Sequence, residues 1–363
     1  MGDAIAMYAA GEADANLYYA TRFLTPDPYV FVQAGGRRMM AVGDLELGRA
    51  RKQATVDEVI ALGARPPAAD ETIAAILRKR RARRVVVPSS FPVGLADALR
   101  KRGVKVEPKA GVFWEARQVK TPAEVRAIEA AQRAVEEAVE AAIGVLRRAR
   151  VRGSRLAHRG AIVTSESLRR TIDVALMERG CVSHGTIVAC GDDGCDPHLK
   201  GSGPIAPGRT IIMDVFPQSN ETRYFADMTR TVVKGKASPA VRKLYRAVQD
   251  AQEFGISRVR AGADGAAVHR EIQEFLKTAG WRTGPRRGRM EGFFHGTGHG
   301  VGLDIHEAPW VTTRGTALPE GAVVTVEPGL YYFGLGGVRL EDMVLVTRAG
   351  CRNLTRYPKF LEV

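Results

Sequence analysis

Over the first 115 or so residues, short apolar runs, which predict strands, alternate with amphipathic stretches, which predict helices. The predicted elements are strands at 29–32, 39–42 and 85–88, a helix at 95–102 and a strand at 104–106. Gly35-Gly36 lies between the first two strands and predicts a β-hairpin. The later elements form a β-α-β unit without a glycine-rich phosphate-binding motif. This part of the chain is therefore predicted to be α/β.

A different pattern begins near residue 118. Thr121-Pro122 followed by Glu124 is typical of a capped helix start, and an Ala- and Glu-rich stretch continues to about residue 150. Further helices are predicted at 165–179, 239–260 and 264–279, and strands at 186–189, 209–216, 224–233, 322–326 and 343–347. The strands at 209–216 and 224–233 are predicted to form a hairpin around residues 218–221. We therefore predict two domains, 1–117 and 118–363. The second is α+β, with helices on one side of a mainly antiparallel sheet.

Composition narrows the function classes. The 363 residues carry a net charge of +14, which raises the question of nucleic-acid binding. The arginines are spread along the chain, however, and no nucleic-acid-binding motif accompanies them, so we expect no nucleic-acid partner. No apolar run is long enough for a membrane span, and no basic leader precedes an apolar stretch. The four cysteines form no CxxC pair. We expect reduced thiols and a cytoplasmic protein without a membrane partner.

The histidines are concentrated in one segment. Three of the seven, His295, His299 and His306, fall within twelve residues, and glycines 296, 298, 300 and 302 are interspersed among them. Neutral imidazole is a common metal ligand, and glycine lets the backbone approach whatever the imidazoles hold. Taken alone, the segment predicts a three-histidine metal site.

Four acids in or next to predicted strands change that interpretation. Asp214 and Asp227 lie in two strands that can place both carboxylates on one face, while Glu327 and Glu341 follow apolar or glycine-rich runs. Each acid alone is more simply explained as a strand-edge charge or a salt bridge. Together, converging carboxylates would repel one another unless cations neutralise them. One imidazole and four carboxylates form an oxygen-rich set that suits two divalent ions.

Asp227, His299, Glu327 and Glu341 each stand in one of four motifs, at 225–231, 295–302, 327–331 and 337–342, and Asp214 precedes them. Through these residues the chain resembles the pita-bread metallopeptidases. That family includes methionine aminopeptidase, aminopeptidase P, prolidase and the metal-free creatinase, and the resemblance extends over essentially the whole chain. It implies a creatinase-like α/β domain at 1–117 and a catalytic pita-bread domain at 118–363. It also implies five metal ligands, Asp214, Asp227, His299, Glu327 and Glu341.

The resemblance assigns roles to residues that do not bind metal. His198 and His306 match catalytic histidines that contact the substrate or stabilise the tetrahedral intermediate, and the ligand Glu327 also moves a proton. His295, Arg339 and Tyr331 match substrate-binding positions, with His295 in the pocket for proline. His158, His184 and His269 match no motif, and His269 is expected at the surface or partly buried.

One motif departs from the family pattern. The first-aspartate motif usually carries glycine two residues after the acid, whereas this chain has Phe216 followed by Pro217. These residues could narrow the pocket or alter the edge of the hairpin. The departure leaves the length of the substrate open.

The resemblance implies a peptidase that hydrolyses the Xaa-Pro bond of dipeptides or short peptides, through a hydroxide bridging two divalent ions. Manganese is the expected metal, with cobalt or zinc as alternatives, and a homodimer is expected. An aminopeptidase of other specificity is disfavoured by the first domain of about 115 residues. A non-catalytic binding protein on the same fold has only the +14 charge in its support.

Overall fold

A computed structural model describes residues 4–363, and the chain divides into the units Met1–Arg117 and Gln118–Val363. The first unit is a six-stranded mixed sheet with helices on both faces, in the strand order β4-β3-β2-β1-β5-β6. Its elements are β1 (Ala4–Ala10), α1 (Ala15–Thr21), β2 (Pro28–Ala34), β3 (Arg37–Val42), α2 (Asp44–Gln53), β4 (Glu58–Ala61), α3 (Ala69–Lys79), β5 (Arg84–Pro88), α4 (Val93–Lys101) and β6 (Lys105–Lys109). The predicted hairpin is confirmed as β2-β3, and the β-α-β unit as β5-α4-β6 with parallel strands.

Alternation along β2 explains the two layers of helices on this sheet. Val30 and Val32 face one core together with Leu77 of α3 and Leu99 of α4. Phe31 points the other way, into a second core that contains residues of α1 and α2. Successive side chains of a strand point to opposite faces, so a continuous apolar run can bury both faces of the sheet.

The second unit combines four long helices with antiparallel strands. The helices are α5 (Pro122–Arg148), α6 (Ser165–Met177), α7 (Pro239–Arg258) and α8 (Gly265–Thr278). The strands are β7 (Arg150–Arg152), β8 (Arg155–His158), β9 (Ala161–Ile162), β10 (Cys181–Val182), β11 (Ile187–Cys190), β12 (Thr210–Val215), β13 (Gln218–Ser219), β14 (Met228–Val233), β15 (Gly284–Arg286), β16 (Arg289–Glu291), β17 (Gly298–Gly300), β18 (Glu307–Val311), β19 (Val323–Val326), β20 (Gly329–Tyr332), β21 (Gly336–Arg339), β22 (Asp342–Val346) and β23 (Cys351–Asn353). No helix in the described part of the chain has both the length and the apolar character needed to cross a membrane.

The predicted start of α5 is confirmed in detail. The Thr121 side chain accepts a hydrogen bond from the Glu124 backbone N–H, and the Glu124 carboxylate accepts one from the Thr121 N–H at 2.8 Å. Pro122 occupies the first turn. These contacts satisfy backbone donors that a helix start leaves without partners. The four helices of this unit end one or two residues before the predicted positions.

Two antiparallel sheets supply the framework of the second unit. One has the order β11-β12-β14 and the other β18-β17-β19-β22-β23. Helices α7 and α8 cover the larger sheet, with Val248 and Ile272 packed in one core with Val324 and Val326 of β19. Strand β14, at the edge of the smaller sheet, approaches the start of β22 of the larger one, where the Glu341 N–H donates to the Thr229 carbonyl at 3.1 Å.

The simple hairpin predicted for residues 209–233 is partly wrong. Strands β12 and β14 do pair antiparallel, but β14 begins at Met228 instead of residue 224. Gln218–Ser219 pairs with β10, and the Phe225 N–H donates to the Gly302 carbonyl. The connection is longer than a tight turn because its backbone groups form hydrogen bonds with neighbouring elements of the fold.

Candidate metal centre and substrate cavity

The β12-β14 pairing places two of the predicted acids side by side. Asp214 pairs with Thr229, and Asp227 lies two residues before Thr229, next to the first residue of β14. Since residues two apart on a strand point to the same face, both carboxylates face one side of the sheet. The expectation from the sequence holds for their orientation, although Asp227 itself immediately precedes β14.

The other predicted ligands come from three adjacent strands. His299 is the central residue of β17, Glu327 follows β19 and Glu341 precedes β22. The His299 N–H donates to the Thr325 hydroxyl at 3.1 Å, which ties β17 to β19 beside the ligand. Sheet pairing therefore brings together residues that are up to 42 positions apart in the chain.

Three of the five predicted ligands form a tight group. One ligand atom each from Asp227, His299 and Glu341 lies within 4.8 Å of the others, and all three residues are buried. The Glu327 Oε1 is 3.4 Å from the His299 Nε2. Asp214 lies beside the group, with its Oδ2 accepting from the Arg339 guanidinium at 2.6 Å.

The acids have the properties of a cation site. Burial, together with the neighbouring carboxylates, raises the pKa of Asp227 and of Glu341 well above their usual values. Asp227 Oδ1 and Glu341 Oε1 are buried and have no hydrogen-bond partner among residues 4–363. Buried carboxylate oxygens are costly unless something satisfies them. A divalent cation would satisfy both oxygens and neutralise the repulsion, so the residues present fit the metal centre that the sequence predicts.

The pKa shifts of Glu327 and Asp214 differ from those of Asp227 and Glu341. Burial favours a raised pKa for Glu327, but the hydrogen bond and charge of His299 outweigh it and lower the pKa to about 2. Burial raises the pKa of Asp214, and the Arg339 guanidinium opposes part of that rise. The centre therefore holds acids of unequal proton affinity, with Glu327 ionised at neutral pH.

A continuous hydrogen-bond chain connects Asp214 to His295. Arg339 donates to Asp214 and to the Tyr331 hydroxyl, and that hydroxyl lies 2.8 Å from the His295 Nε2. The His295 Nδ1 is 2.8 Å from the Gly296 carbonyl, which requires Nδ1 to carry the proton and makes Nε2 the acceptor from Tyr331. Burial lowers the pKa of His295 to about 4, consistent with a neutral ring.

A cavity of about 580 Å³ opens onto this centre. Its lining includes all five predicted ligands together with His198, His295, His306 and Arg339. Tyr331, predicted to bind substrate, is fully buried behind the wall and contacts His295 and Arg339 instead. Arg339 reaches the lining, but its guanidinium is engaged by Asp214 and Tyr331.

Phe216, where the first-aspartate motif departs from the family pattern, lies in the wall of the same cavity. A Cβ on Gly185 would lie 2.6 Å from the Phe216 Cζ, so the ring rests directly on the Gly185 backbone. Only a residue without a side chain leaves room for it there. The departure from the motif indicated that Phe216 could narrow the pocket, and its ring lies in the cavity wall.

His269 was expected at the surface or partly buried, and this expectation is wrong. Its side chain is buried, and its Nδ1 lies 2.9 Å from the hydroxyl of Thr297. Thr297 precedes the predicted ligand His299 by two residues. The Phe293 ring packs edge-on against it. The placement of His269 on the inner face of α8 was the signal available in the sequence, because its neighbours Val268 and Ile272 belong to the apolar stripe of that helix. His158 and His184 are absent from the lining of the cavity.

Comparison with known proteins agrees with this geometry. Residues 126–348 match the model of metallopeptidase family M24. The chain is 31% identical over 249 residues to an Xaa-Pro dipeptidase of Pyrococcus furiosus, covering 68% of this chain and 65% of that protein. It is 34% identical over 343 residues to Xaa-Pro aminopeptidase 1 of Streptomyces coelicolor, covering 86% of this chain and 66% of that protein. Both alignments thus span slightly less than two thirds of the relative.

The structural likeness is more extensive. The solved prolidase of Pyrococcus furiosus superposes with a TM-score of 0.81 at 25% identity, covering 98% of this chain and 97% of that one. The predicted α+β pita-bread fold is thereby confirmed. The matched family segment contains all five predicted metal ligands. The chain belongs to metallopeptidase family M24.

Proposed function

We propose that this protein is a metal-dependent peptidase that hydrolyses the Xaa-Pro bond at the N-terminus of dipeptides or short peptides. The observation that carries the proposal is the buried group of Asp227, His299 and Glu341, with two unsatisfied carboxylate oxygens, at a cavity walled by His295. The relatives named as an Xaa-Pro dipeptidase and an Xaa-Pro aminopeptidase support the substrate class.

Five residues would hold two divalent ions, namely Asp214, Asp227, His299, Glu327 and Glu341. Such ions supply Lewis acidity and lower the pKa of a water molecule at the site. Manganese, with cobalt or zinc as alternatives, is the proposed metal. The oxygen-rich ligand set supports a hard divalent ion.

The protein's own residues supply proton transfer and stabilisation of charge. The Glu327 carboxylate, 3.4 Å from the His299 Nε2, is proposed to accept a proton from the attacking water and return it to the leaving nitrogen. His306 packs edge-on to His299, with ring centroids 4.3 Å apart. Burial and the nearby His299 lower the pKa of His306, so its neutral ring retains one N–H for the developing oxyanion. His198 lines the cavity and is proposed to share that task.

The wall around His295 favours proline. Both ring nitrogens of His295 are engaged within the protein, so the ring presents carbon atoms to the cavity. Phe293, Phe294 and Tyr331 surround the ring, with centroids 5.2, 6.3 and 5.5 Å away. Of these rings, Phe294 lines the cavity beside His295, while Phe293 and Tyr331 support the histidine from behind. The apolar surface of His295 and Phe294 suits a pyrrolidine ring, and a proline nitrogen brings no N–H that needs an acceptor.

A test compares the wild type with Asp227→Asn and Glu341→Gln after chelation and reloading with manganese. We expect the wild type to cleave Gly-Pro, Met-Pro or a longer Xaa-Pro peptide. Each variant should lose at least about a hundredfold in kcat/KM, because a ligand oxygen is replaced. Product chromatography measures cleavage, and calorimetric titration with Mn²⁺ measures metal affinity separately.

Glu253→Gln is the matched control, since Glu253 is an exposed acid on α7 remote from the cavity lining. It should leave both measurements unchanged. Absence of wild-type cleavage on all three peptides, or full activity in both ligand variants, would contradict the proposal. Cleavage only of peptides without proline would instead indicate an aminopeptidase of other specificity.

Three further proposals rest on the family resemblance. They are a homodimer, a cytoplasmic location, and a division of labour in which residues 118–363 form the catalytic domain and residues 1–117 a creatinase-like domain.

A further inference from the structure

Lys120 and Glu307 form a buried ion pair close to the substrate cavity. The Lys120 Nζ donates to the Glu307 Oε1 at 2.8 Å, and the two side chains are only 2% and 9% exposed. The residues are 187 positions apart in the chain, so only the tertiary structure brings them together. Neither side chain lines the cavity, and neither has a part in the proposed metal binding or hydrolysis.

A gain in stability does not account for such a pair. Taking two charges out of water costs about as much free energy as their attraction returns, so a buried ion pair adds little to stability. Breaking the pair is nevertheless costly, because the remaining charge is left buried without a partner. A buried pair can instead hold two segments in one arrangement, so the segments that it joins indicate its use.

The Lys120 end of the pair is fixed by the framework of the second unit. The Lys120 backbone N–H donates to the Gly321 carbonyl at 2.9 Å, and the Gly321 N–H donates to the Val346 carbonyl of β22 at 2.9 Å. The next residue, Thr121, caps the start of α5. The ammonium group of Lys120 therefore extends from a fixed point of the fold.

The Glu307 end of the pair holds the loop between β17 and β18. The Glu307 Oε2 accepts from the Asp304 backbone N–H at 3.3 Å. A Cβ on Gly302 would lie 2.3 Å from the Glu307 Oε1, so the carboxylate rests on the backbone of this loop. One carboxylate thus joins residues 302–304 to Lys120.

His306, the residue before Glu307, depends on this loop for its position. It lines the cavity and is accessible to solvent, and its ring packs edge-on against that of His299. Within the described residues 4–363, its ring has no hydrogen-bond partner. A group that must meet a reacting atom needs to be held in place by its surroundings. For His306 that support comes from the backbone that the ion pair anchors.

We infer that Lys120 is a positioning residue for His306. Its ion pair with Glu307 fixes the loop that carries the histidine, so the imidazole is already in place when negative charge develops on the substrate. This inference rests on the proposed function, in which His306 donates a hydrogen bond to the oxyanion. Lys120 acts only through Glu307 and His306.

A double-mutant cycle on kcat tests the inference in the full-length, manganese-loaded protein, with the Xaa-Pro peptide that the wild type cleaves fastest. Lys120→Met keeps an aliphatic chain and removes the charge. We expect it to lower kcat by about tenfold to a hundredfold and to change KM by less than about threefold, because a small displacement of a catalytic group affects mainly the transition state. In the His306→Ala background, the same substitution should lower kcat by less than about twofold, because the histidine that it positions is already absent.

Calorimetric titration with Mn²⁺ gives a second measurement, independent of activity. Metal affinity in Lys120→Met should stay within about threefold of the wild-type value, because none of the proposed ligands is changed. Glu307→Gln supplies the same cycle with His306→Ala if Lys120→Met does not fold. It removes the charge while keeping an acceptor oxygen for the Asp304 N–H.

Lys277→Met is the matched control for the change of lysine to methionine. Lys277 pairs with Glu274 at 3.0 Å on α8, and both side chains are exposed. An exposed pair of this kind contributes little, so kcat, KM and metal affinity should all keep their wild-type values.

The outcomes separate this inference from the proposed function. An unchanged kcat in Lys120→Met, or equal losses of kcat in the wild-type and His306→Ala backgrounds, would overturn the positioning role and leave the Xaa-Pro activity standing. A loss of metal affinity as large as the loss of kcat would also overturn it, because the pair would then support the metal centre. Absence of cleavage by the wild type would overturn the proposed function and the inference together.

Discussion

At the scale of single residues, Arg339 connects the two halves of the site. Its guanidinium donates to Asp214, to the Tyr331 hydroxyl and to the Thr229 hydroxyl, which in turn donates to Glu341. A buried charge is tolerated only when it is paired and hydrogen-bonded, and this arginine meets both conditions. A planar guanidinium can address three groups at once, which a lysine cannot. One side chain therefore orients both the proposed metal carboxylates and the proposed proline wall.

Tyr331→Phe tests this connection. Loss of the hydroxyl leaves the His295 Nε2 without its donor, so we expect about 1–2 kcal/mol less stability and a higher KM for Xaa-Pro substrates. Metal affinity should stay near the wild-type value, because Asp214 keeps its bond to Arg339. Denaturant unfolding, steady-state kinetics and metal titration measure the three effects.

The neighbouring Tyr332→Phe is the control. The Tyr332 hydroxyl donates to the Arg282 carbonyl, away from the centre, so its loss should leave KM unchanged. A fall in metal affinity in Tyr331→Phe as large as the rise in KM would show that Tyr331 supports the metal shell instead of the proline wall.

At the scale of elements, close packing of β17 against β19 positions His299. A Cβ on Gly298 would lie 2.0 Å from the Thr325 carbonyl oxygen and 2.8 Å from the Thr325 hydroxyl. That hydroxyl accepts from the His299 N–H. Glycine is therefore required by the close approach of two backbones, and any side chain would push His299 away from the acids.

Gly298→Ala should therefore damage metal binding as well as stability. We expect a loss of about 1–3 kcal/mol from overpacking and at least about a tenfold loss in Mn²⁺ affinity. Chemical denaturation and calorimetric titration measure the two effects. Gly94→Ala in α4 is the control, because a Cβ there meets nothing within 4 Å. Wild-type metal affinity in a stably folded Gly298→Ala protein would contradict this explanation.

At the scale of the whole molecule, folding brings together acids that are distant in the sequence, at a cost that a cation can offset. Burial and mutual repulsion raise the folded-state pKa of Asp227 and Glu341. Above about pH 4 the unfolded chain releases these protons while the folded metal-free protein retains them. Stability then falls with rising pH, until the folded-state pKa values are passed.

As the pH rises from about 5 to about 8, the chelated wild type should therefore lose more stability than chelated Glu341→Gln, because glutamine cannot ionise. With manganese the trend should reverse, because a metal binds the deprotonated ligands, and saturation at a hundred times Kd adds about 2.7 kcal/mol. Thermal unfolding at several pH values measures both trends. Parallel loss of stability by chelated wild type and variant over this range would contradict the expected pKa of Glu341.

The amino-acid sequence by itself determined the features that depend on local pattern. Helix starts with capping side chains, apolar strands and the order of the five predicted metal ligands could all be interpreted from neighbouring residues. The tertiary structure alone decided features that depend on residues distant in the chain. These are the path of residues 216–227 between other elements and the engagement of Arg339 by Asp214. The physical reason is that capping and periodicity act within a few residues, whereas burial, charge pairing and cavity shape arise only when distant strands pack together.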